Sequence, residues 1–221
     1  DALPISLDRA AQMGKPVVVL KAGKSARAAA AIQTHTGGMA GQAQVFSAVL
    51  KAHHAIEVND LEELTEVLSV LQGARLPTGD RIAVVTGSGG HAELLLDMSS
   101  RAGINLPPLP IKTRETIEAG VGSLTGDGNP IDAWGQGDFS ENFTLAFGEA
   151  ASSGAYDAVV LSIDANDGQA IDYLGQDEVV TRLLIDTNAS IEQPLYLMST
   201  RHGVQKSIQV DAIQKHGIAT I

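Results

Sequence analysis

Three apolar, β-branched runs decide what this chain can fold into: residues 16–20, 81–86 and 156–163. None of them alternates with polar residues, so each reads as a strand buried on both faces. Each is followed, after a glycine-rich or polar connection, by apolar residues at helical spacing. Strands joined through helices run parallel, with right-handed crossovers. The chain is therefore α/β. Scarce aromatics, 4% of 221 residues, fit close packing of helices on a sheet. The strand–loop–helix units have no fixed period, so they do not form a solenoid.

In chain order, a helix ends at Gly14, a natural C-cap glycine, before the strand at 16–20. A glycine-rich loop at 33–41 opens a helix that runs to about Ala52. A short strand follows at 53–58. Asn59 or Asp60 caps the next helix, whose stripe is Leu61, Leu64, Val67, Leu68 and Leu71. Residues 72–80, with Gly73, Pro77 and Gly79, read as a linker. Beyond it come strands at 81–86, 156–163, 193–199 and 217–221, and helices at 91–102, 113–119, 139–152, 177–188 and 206–216. Two domains are expected, 1–75 and 76–221. The first has too few strands to close a two-faced parallel sheet unaided, and reads as the latter part of a lobe whose beginning is absent.

A net charge of −11 argues against nucleic acid or an anionic membrane as the main partner. No run reaches transmembrane length and no signal peptide opens the chain, so a cytoplasmic location is expected. The absence of cysteine removes thiolate catalysis and Cys-type zinc sites. His53 and His54 are adjacent and would point to opposite faces of a strand, and no helical His pair occurs, so no metal site is expected.

Two stretches carry chemistry. His35 stands between Thr34 and Thr36, followed by Gly37, Gly38 and Gly41. An imidazole in such a setting is suited to ligation, general base work or covalent phosphate transfer; the plain alternative is a surface histidine beside a turn. The second stretch is the strand, turn and helix start of Val84-Val85-Thr86-Gly87-Ser88-Gly89-Gly90-His91. Free amides and the positive end of a helix dipole make such a turn an anion site, and glycines let the anion approach. Gly87-x-Gly89-x-x-Ala92 also fits a dinucleotide fingerprint, but the acid it requires is missing at 105–108. Gly87-Ser88-Gly89 is not a hydrolase elbow. Asp164, Asp167 and Asp172 follow a strand end and read as a solvated loop.

Together these stretches resemble the nucleoside-diphosphate-forming acyl-CoA synthetases, which include ADP-forming acetate–CoA ligase and succinyl-CoA synthetase. The resemblance rests on residues 15–25, on Thr34-His35-Thr36-Gly37-Gly38-Met39-Ala40-Gly41, and on Asp60-Leu61-Glu62-Glu63-Leu64. It continues through Val84-Val85-Thr86-Gly87-Ser88-Gly89-Gly90 and Gly128-Asn129-Pro130-Ile131-Asp132. One departure is His91-Ala92, where the family has Pro-Gly.

The resemblance implies two flavodoxin-like lobes of succinyl-CoA synthetase type with parallel sheets, the first truncated. It implies His35 as the phosphoryl carrier and Thr36, Gly37, Gly38, Ser88, Gly89 and Gly90 as phosphate ligands. Asn129 and Asp132 would touch substrate. The reaction implied is reversible synthesis of an acyl-CoA from a carboxylic acid, CoA and ATP, through an acyl phosphate. CoA, ATP or ADP, and Mg2+ belong to the complete enzyme, and none is expected on this stretch alone. The partners implied are a CoA-binding domain, an ATP-grasp domain or subunit, a small carboxylic acid and further copies of the enzyme. Two alternatives stand beside this: a non-catalytic acyl-CoA-sensing module of a protein acetyltransferase, and a piece of a dinucleotide oxidoreductase.

Overall fold

A computed structural model of the chain describes residues 2–36, 42–164, 176–199 and 208–221. The chain divides into two compact units, Asp1–Leu71 and Gln72–Ile221.

The first unit holds α1 (Ala2–Gln12), β1 (Val18–Leu20), α2 (Ala26–Thr36), α3 (Ala43–Ala52), β2 (Ile56–Val58) and α4 (Leu61–Leu71). α1 closes as its sequence requires. Gly14 takes φ +63°, and Lys15 N–H reaches back to Ala10 O at 2.9 Å. β1 and β2 pair in parallel, Val18 opposite Ile56 and Leu20 opposite Val58. Lys24 ties the end of β1 to that of β2, with Nζ 2.9 Å from Glu57 Oε1 and 3.0 Å from Asn59 Oδ1. A hydrogen bond from Ser47 and the Lys24 ammonium hold the Glu57 carboxyl below its ordinary range. Asp60 caps α4 by accepting Glu63 N–H at 2.8 Å, while Glu63 Oε2 accepts Asn59 N–H at 2.7 Å.

Two expectations need correction here. The run Ala26-Arg27-Ala28-Ala29-Ala30-Ala31 forms α2, capped by Ser25 Oγ on Ala28 N–H at 3.2 Å. His35 therefore lies on helical backbone, where a loop was expected. His53 and His54 form the turn before β2, His54 at φ +58°, rather than the start of the strand.

The second unit contains β3 (Ile82–Thr86), α5 (Gly89–Ala102), α6 (Ile111–Val121), β4 (Ile131–Asp132) and α7 (Phe139–Ser152). It continues with β5 (Ala158–Ser162), α8 (Gln176–Ser190), β6 (Leu195–Met198), α9 (Ile208–Lys215) and β7 (Ala219–Thr220). Its five parallel strands lie in the order β4-β3-β5-β6-β7. Numbered within the unit this is 2-1-3-4-5, the flavodoxin-like winding, whose switch point falls between β3 and β5. Ala83, Val85, Val159, Leu161, Leu195 and Leu197 form one sheet face and pack with Phe143 and Phe147 of α7 into a single core. Val84, Thr86, Val160, Ser162 and Tyr196 alternate onto the other face.

β4 is two residues long and was not foreseen. Asn129 extends its pairing with β3 before the strand begins. Its Oδ1 accepts Val84 N–H at 3.0 Å, and its Nδ2 donates to Ile82 O at 2.9 Å and Pro107 O at 2.8 Å. The glycine-rich segment ahead of it is fixed by Arg114, which donates to Gly126 O at 2.8 Å and Leu124 O at 3.1 Å.

Two outcomes follow from these bonds. Asn129→Ala strips partners from the buried Val84 N–H and from two part-buried carbonyls, and is expected to destabilise the chain by about 2 kcal/mol in urea unfolding. Arg81 and Asp157 lock the start of β3 to β5 through Nε–Oδ2 at 2.9 Å and Nη2–Oδ1 at 2.8 Å. The guanidinium bonds, then the Arg81 backbone N–H, hold the Asp157 carboxyl down to about 2. Because this lies below its unfolded value of about 3.9, the pair's contribution is complete above about pH 4 and fades as pH falls toward 2. The gap in melting temperature between wild type and Arg81→Met should stay constant above about pH 4 and close below it.

Candidate functional site

In an open parallel sheet, ligands gather at the carboxyl ends of the strands beside the switch point. Here that edge is polar. Thr86, Asp132 and Ser162 stand in register at the ends of β3, β4 and β5, on the face that α5 covers. Leaving β3, the chain passes through Gly87 and enters α5 at Gly89, two residues before the expected start. Gly87 is closely packed: a Cβ there would lie 3.1 Å from Phe143 Cζ and 3.5 Å from Trp134 Cε3. Ser88 is the N-cap, with its hydroxyl accepting His91 N–H at 3.4 Å. The first helical bond runs from Ala92 N–H to Ser88 O at 2.9 Å. The amides of Gly89 and Gly90 lie ahead of it and have no partner among the described residues. A Cβ placed on Gly90 would meet nothing within 4 Å among the described residues, whereas one on Gly89 would meet Asp132.

Three polar side chains lie at this end of the sheet. His91 Nδ1 lies 3.1 Å from Thr86 Oγ1, which holds the ring by the buried hydroxyl and leaves Nε2 without a partner among the described residues. Asp132 Oδ2 lies 3.2 Å from where a Gly89 Cβ would stand, and its Oδ1 accepts Trp134 N–H at 3.1 Å. Ser162 Oγ is buried, 1% exposed for the residue, and has no partner among the described residues. The arrangement offers two amide donors and the positive helix end to an anion, with an opposing carboxylate close by.

The residues singled out from sequence divide accordingly. Ser88, Gly89, Gly90 and Asp132 come together at the start of α5. Asn129 is 5% exposed, and both its amide hydrogens are spent on backbone carbonyls, so it serves the scaffold and leaves the candidate substrate set. His35 and Thr36 fall on the last turn of α2, with their side chains outside the described residues. Gly37, Gly38, Asp167 and Asp172 also lie outside them. Thr86, Ser162 and Trp134 were not anticipated as site residues. For Thr86 and Ser162 the available signal was a polar residue closing each buried strand.

The acid sought at 105–108 for dinucleotide binding is also accounted for. The strand after α5 is β4, not 105–108, and it does end in a carboxylate, Asp132. That carboxylate sits against Gly89 at the turn itself, where it would crowd a pyrophosphate rather than reach a ribose beyond it.

Residues 5–71 match the succinyl-CoA ligase like flavodoxin domain. The chain is 32% identical over 129 residues to 4-hydroxybutyrate–CoA ligase [ADP-forming] of Nitrosopumilus maritimus, covering 58% of this chain and 18% of the relative. It is 32% identical over 118 residues to the alpha subunit of acetate–CoA ligase [ADP-forming] II of Pyrococcus furiosus, 53% of this chain and 26% of that subunit. It thus spans about a fifth to a quarter of the curated relatives it matches. Among solved structures, acetyl-coenzyme A synthetase 1 of Ca. Korarchaeum cryptofilum, in complex with phosphate and ADP, superposes with a TM-score of 0.77. That match has 22% identity and covers 98% of this chain and 46% of the other, a likeness of fold. In its flavodoxin-type winding, in the order of its motifs and in these relatives, the chain is similar to the nucleoside-diphosphate-forming acyl-CoA synthetases, and residues 5–71 match their succinyl-CoA ligase like flavodoxin domain.

Proposed function

We propose that this chain is the phosphoryl-carrier and second ligase portion of an enzyme that makes an acyl-CoA from a carboxylic acid, CoA and ATP. The observation that carries the reading is the pair of open amides at the start of α5, beside the switch point of a flavodoxin-like sheet. The ligase names of the relatives support it, and they lend nothing to a sensing module.

In this reading residues 1–75 are the latter part of one CoA-ligase domain and residues 76–221 are the next. A neutral imidazole nitrogen of His35 attacks the terminal phosphorus of the nucleotide, and the nucleoside diphosphate leaves. The phosphoryl group then passes to the carboxylate, giving an acyl phosphate and restoring the imidazole. The thiol of CoA displaces phosphate to give the thioester. Thr36, Gly37 and Gly38 flank the carrier. The amides of Gly89 and Gly90, with the Ser88 cap fixing their direction, hold a phosphoryl group in transit. Preorganised amides suit that task because they need no rearrangement as charge arrives.

Two experiments test this. The intact enzyme given labelled ATP should acquire acid-labile, base-stable label. His35→Ala should reduce the label to background, while His53→Ala and His216→Ala retain it; full labelling of His35→Ala would place the carrier elsewhere. Asp132→Asn removes a negative charge beside the open amides but keeps an oxygen for Trp134 N–H. Phosphate should then bind about fivefold to tenfold more tightly by calorimetry, as expected for one screened charge a few ångströms away. An unchanged affinity would mean that the anion binds away from Gly89.

A further inference from the structure

The first unit holds an ammonium whose position its own stability does not explain. Lys21 follows directly on β1, and its Nζ lies 4.7 Å from the centre of the Phe46 ring in α3. It forms no ion pair among the described residues. The Glu57 carboxylate feels its charge, but only after the hydrogen bonds from Ser47 and Lys24. Lys24 is engaged by Glu57 and Asn59 as a strut between β1 and β2. Lys21, part-buried, rests on an aromatic face instead.

That place in the fold suits an anion better than a cation. α3 ends three residues before β2 begins, so its last turn lies at the amino edge of the parallel pair and its first at the carboxyl edge. Lys21 stands at the same carboxyl edge. Phe46 is the fourth residue of α3, and helical side chains lean toward the helix N-terminus. The ammonium therefore lies by the positive end of the helix dipole, which opposes it. Two positive terms with no carboxylate of their own attract an anion. Gln42, about 6 Å along the axis from Phe46, is where the connection from His35 enters α3. The anion belonging to that connection, in the reading above, is the phosphoryl group on His35.

We propose that Lys21 binds the phosphoryl group carried by His35. The ammonium donates hydrogen bonds to the phosphoryl oxygens and keeps its proton, so no bond to lysine forms. Phe46 holds the ammonium at this edge without neutralising it, as a carboxylate would. The proposal rests on the carrier reading of His35 and adds a full positive charge to it.

The ionisation of the phosphohistidine tests this. In the intact enzyme phosphorylated with ATP, its phosphorus-31 resonance is followed against pH. A phosphoryl group on a side chain takes its second negative charge near about pH 6, and an adjacent ammonium moves that midpoint down. Lys21→Met should therefore raise the midpoint by about half a pH unit or more, while Lys21→Arg, which keeps the charge, should stay near wild type. Phe46→Leu should raise it part of the way, and Lys24→Met should leave it in place. A structural role alone would lower the melting temperature of Lys21→Met and leave the midpoint unmoved. An unmoved midpoint in Lys21→Met, or an equal rise in Lys24→Met, would overturn the proposal. Should Lys21→Met take up too little label to observe, Lys21→Arg decides. Label restored at the wild-type midpoint supports the contact, and label not restored overturns it. Label that survives His35→Ala removes the carrier reading and the proposal with it. Label lost in His35→Ala beside an unmoved midpoint in Lys21→Met removes Lys21 alone.

Discussion

The second unit depends on how one short strand is held. β4 contributes two residues to the sheet, too few to fix its own register against β3. The Asn129 side chain supplies what the backbone lacks, an acceptor for Val84 N–H and a donor to Ile82 O, as a longer strand would have done. Its second hydrogen goes to Pro107 O and binds the extended segment before α6 to the same edge. Once β4 is in place, Asp132 falls opposite Thr86, and the polar end of the sheet is assembled. A buried amide with all its donors spent is a rigid element, because each alternative position would leave backbone groups unpaired. The site's geometry is thus inherited from a residue outside it.

Gly87 imposes the second constraint. Phe143 and Trp134 close over it from one side, and α5 begins two residues later. A side chain there would press on Phe143, so the backbone runs close against the aromatic layer before it enters α5 at Gly89. Packing in the core and this path of the backbone are therefore two consequences of one missing Cβ.

Much of this was legible in the sequence. α7 was expected at 139–152 and found at those residues, because Asp138 caps it and Phe143, Ala146, Phe147 and Ala150 keep a helical period. The buried strands β3 and β5 were equally plain as unbroken apolar runs. β4 was hidden because Ile131-Asp132 is too short to show a period. α2 was hidden because the glycines after His35 signal a loop, whereas the alanine run before it, a strong helix former, carries the helix through His35. Asn129 shows the limit of motif reading. A Gly-Asn-Pro run marks a functional family segment, but whether its amide meets substrate or backbone is settled only by what lies across from it. Trp134 shows the opposite case. A lone tryptophan in a sequence reads as core, and only its half exposure beside a glycine turn sets it apart.

The carboxylate at Gly89 bears on how such a site would work. A phosphoryl group that must leave again gains little from very tight binding, since a deeper ground state raises the barrier to transfer by the same amount. Two open amides and a helix end attract an anion, while Asp132, fixed by the Trp134 N–H, opposes it at short range. In the absence of a ligand the same carboxylate compensates the positive end of α5, so the empty turn is not strongly destabilised. An incoming dianion meets both terms at once. The balance favours an anion that is held while its partner is present and released when its charge changes, which is what the proposed transfer from phosphohistidine to acid would require of this turn.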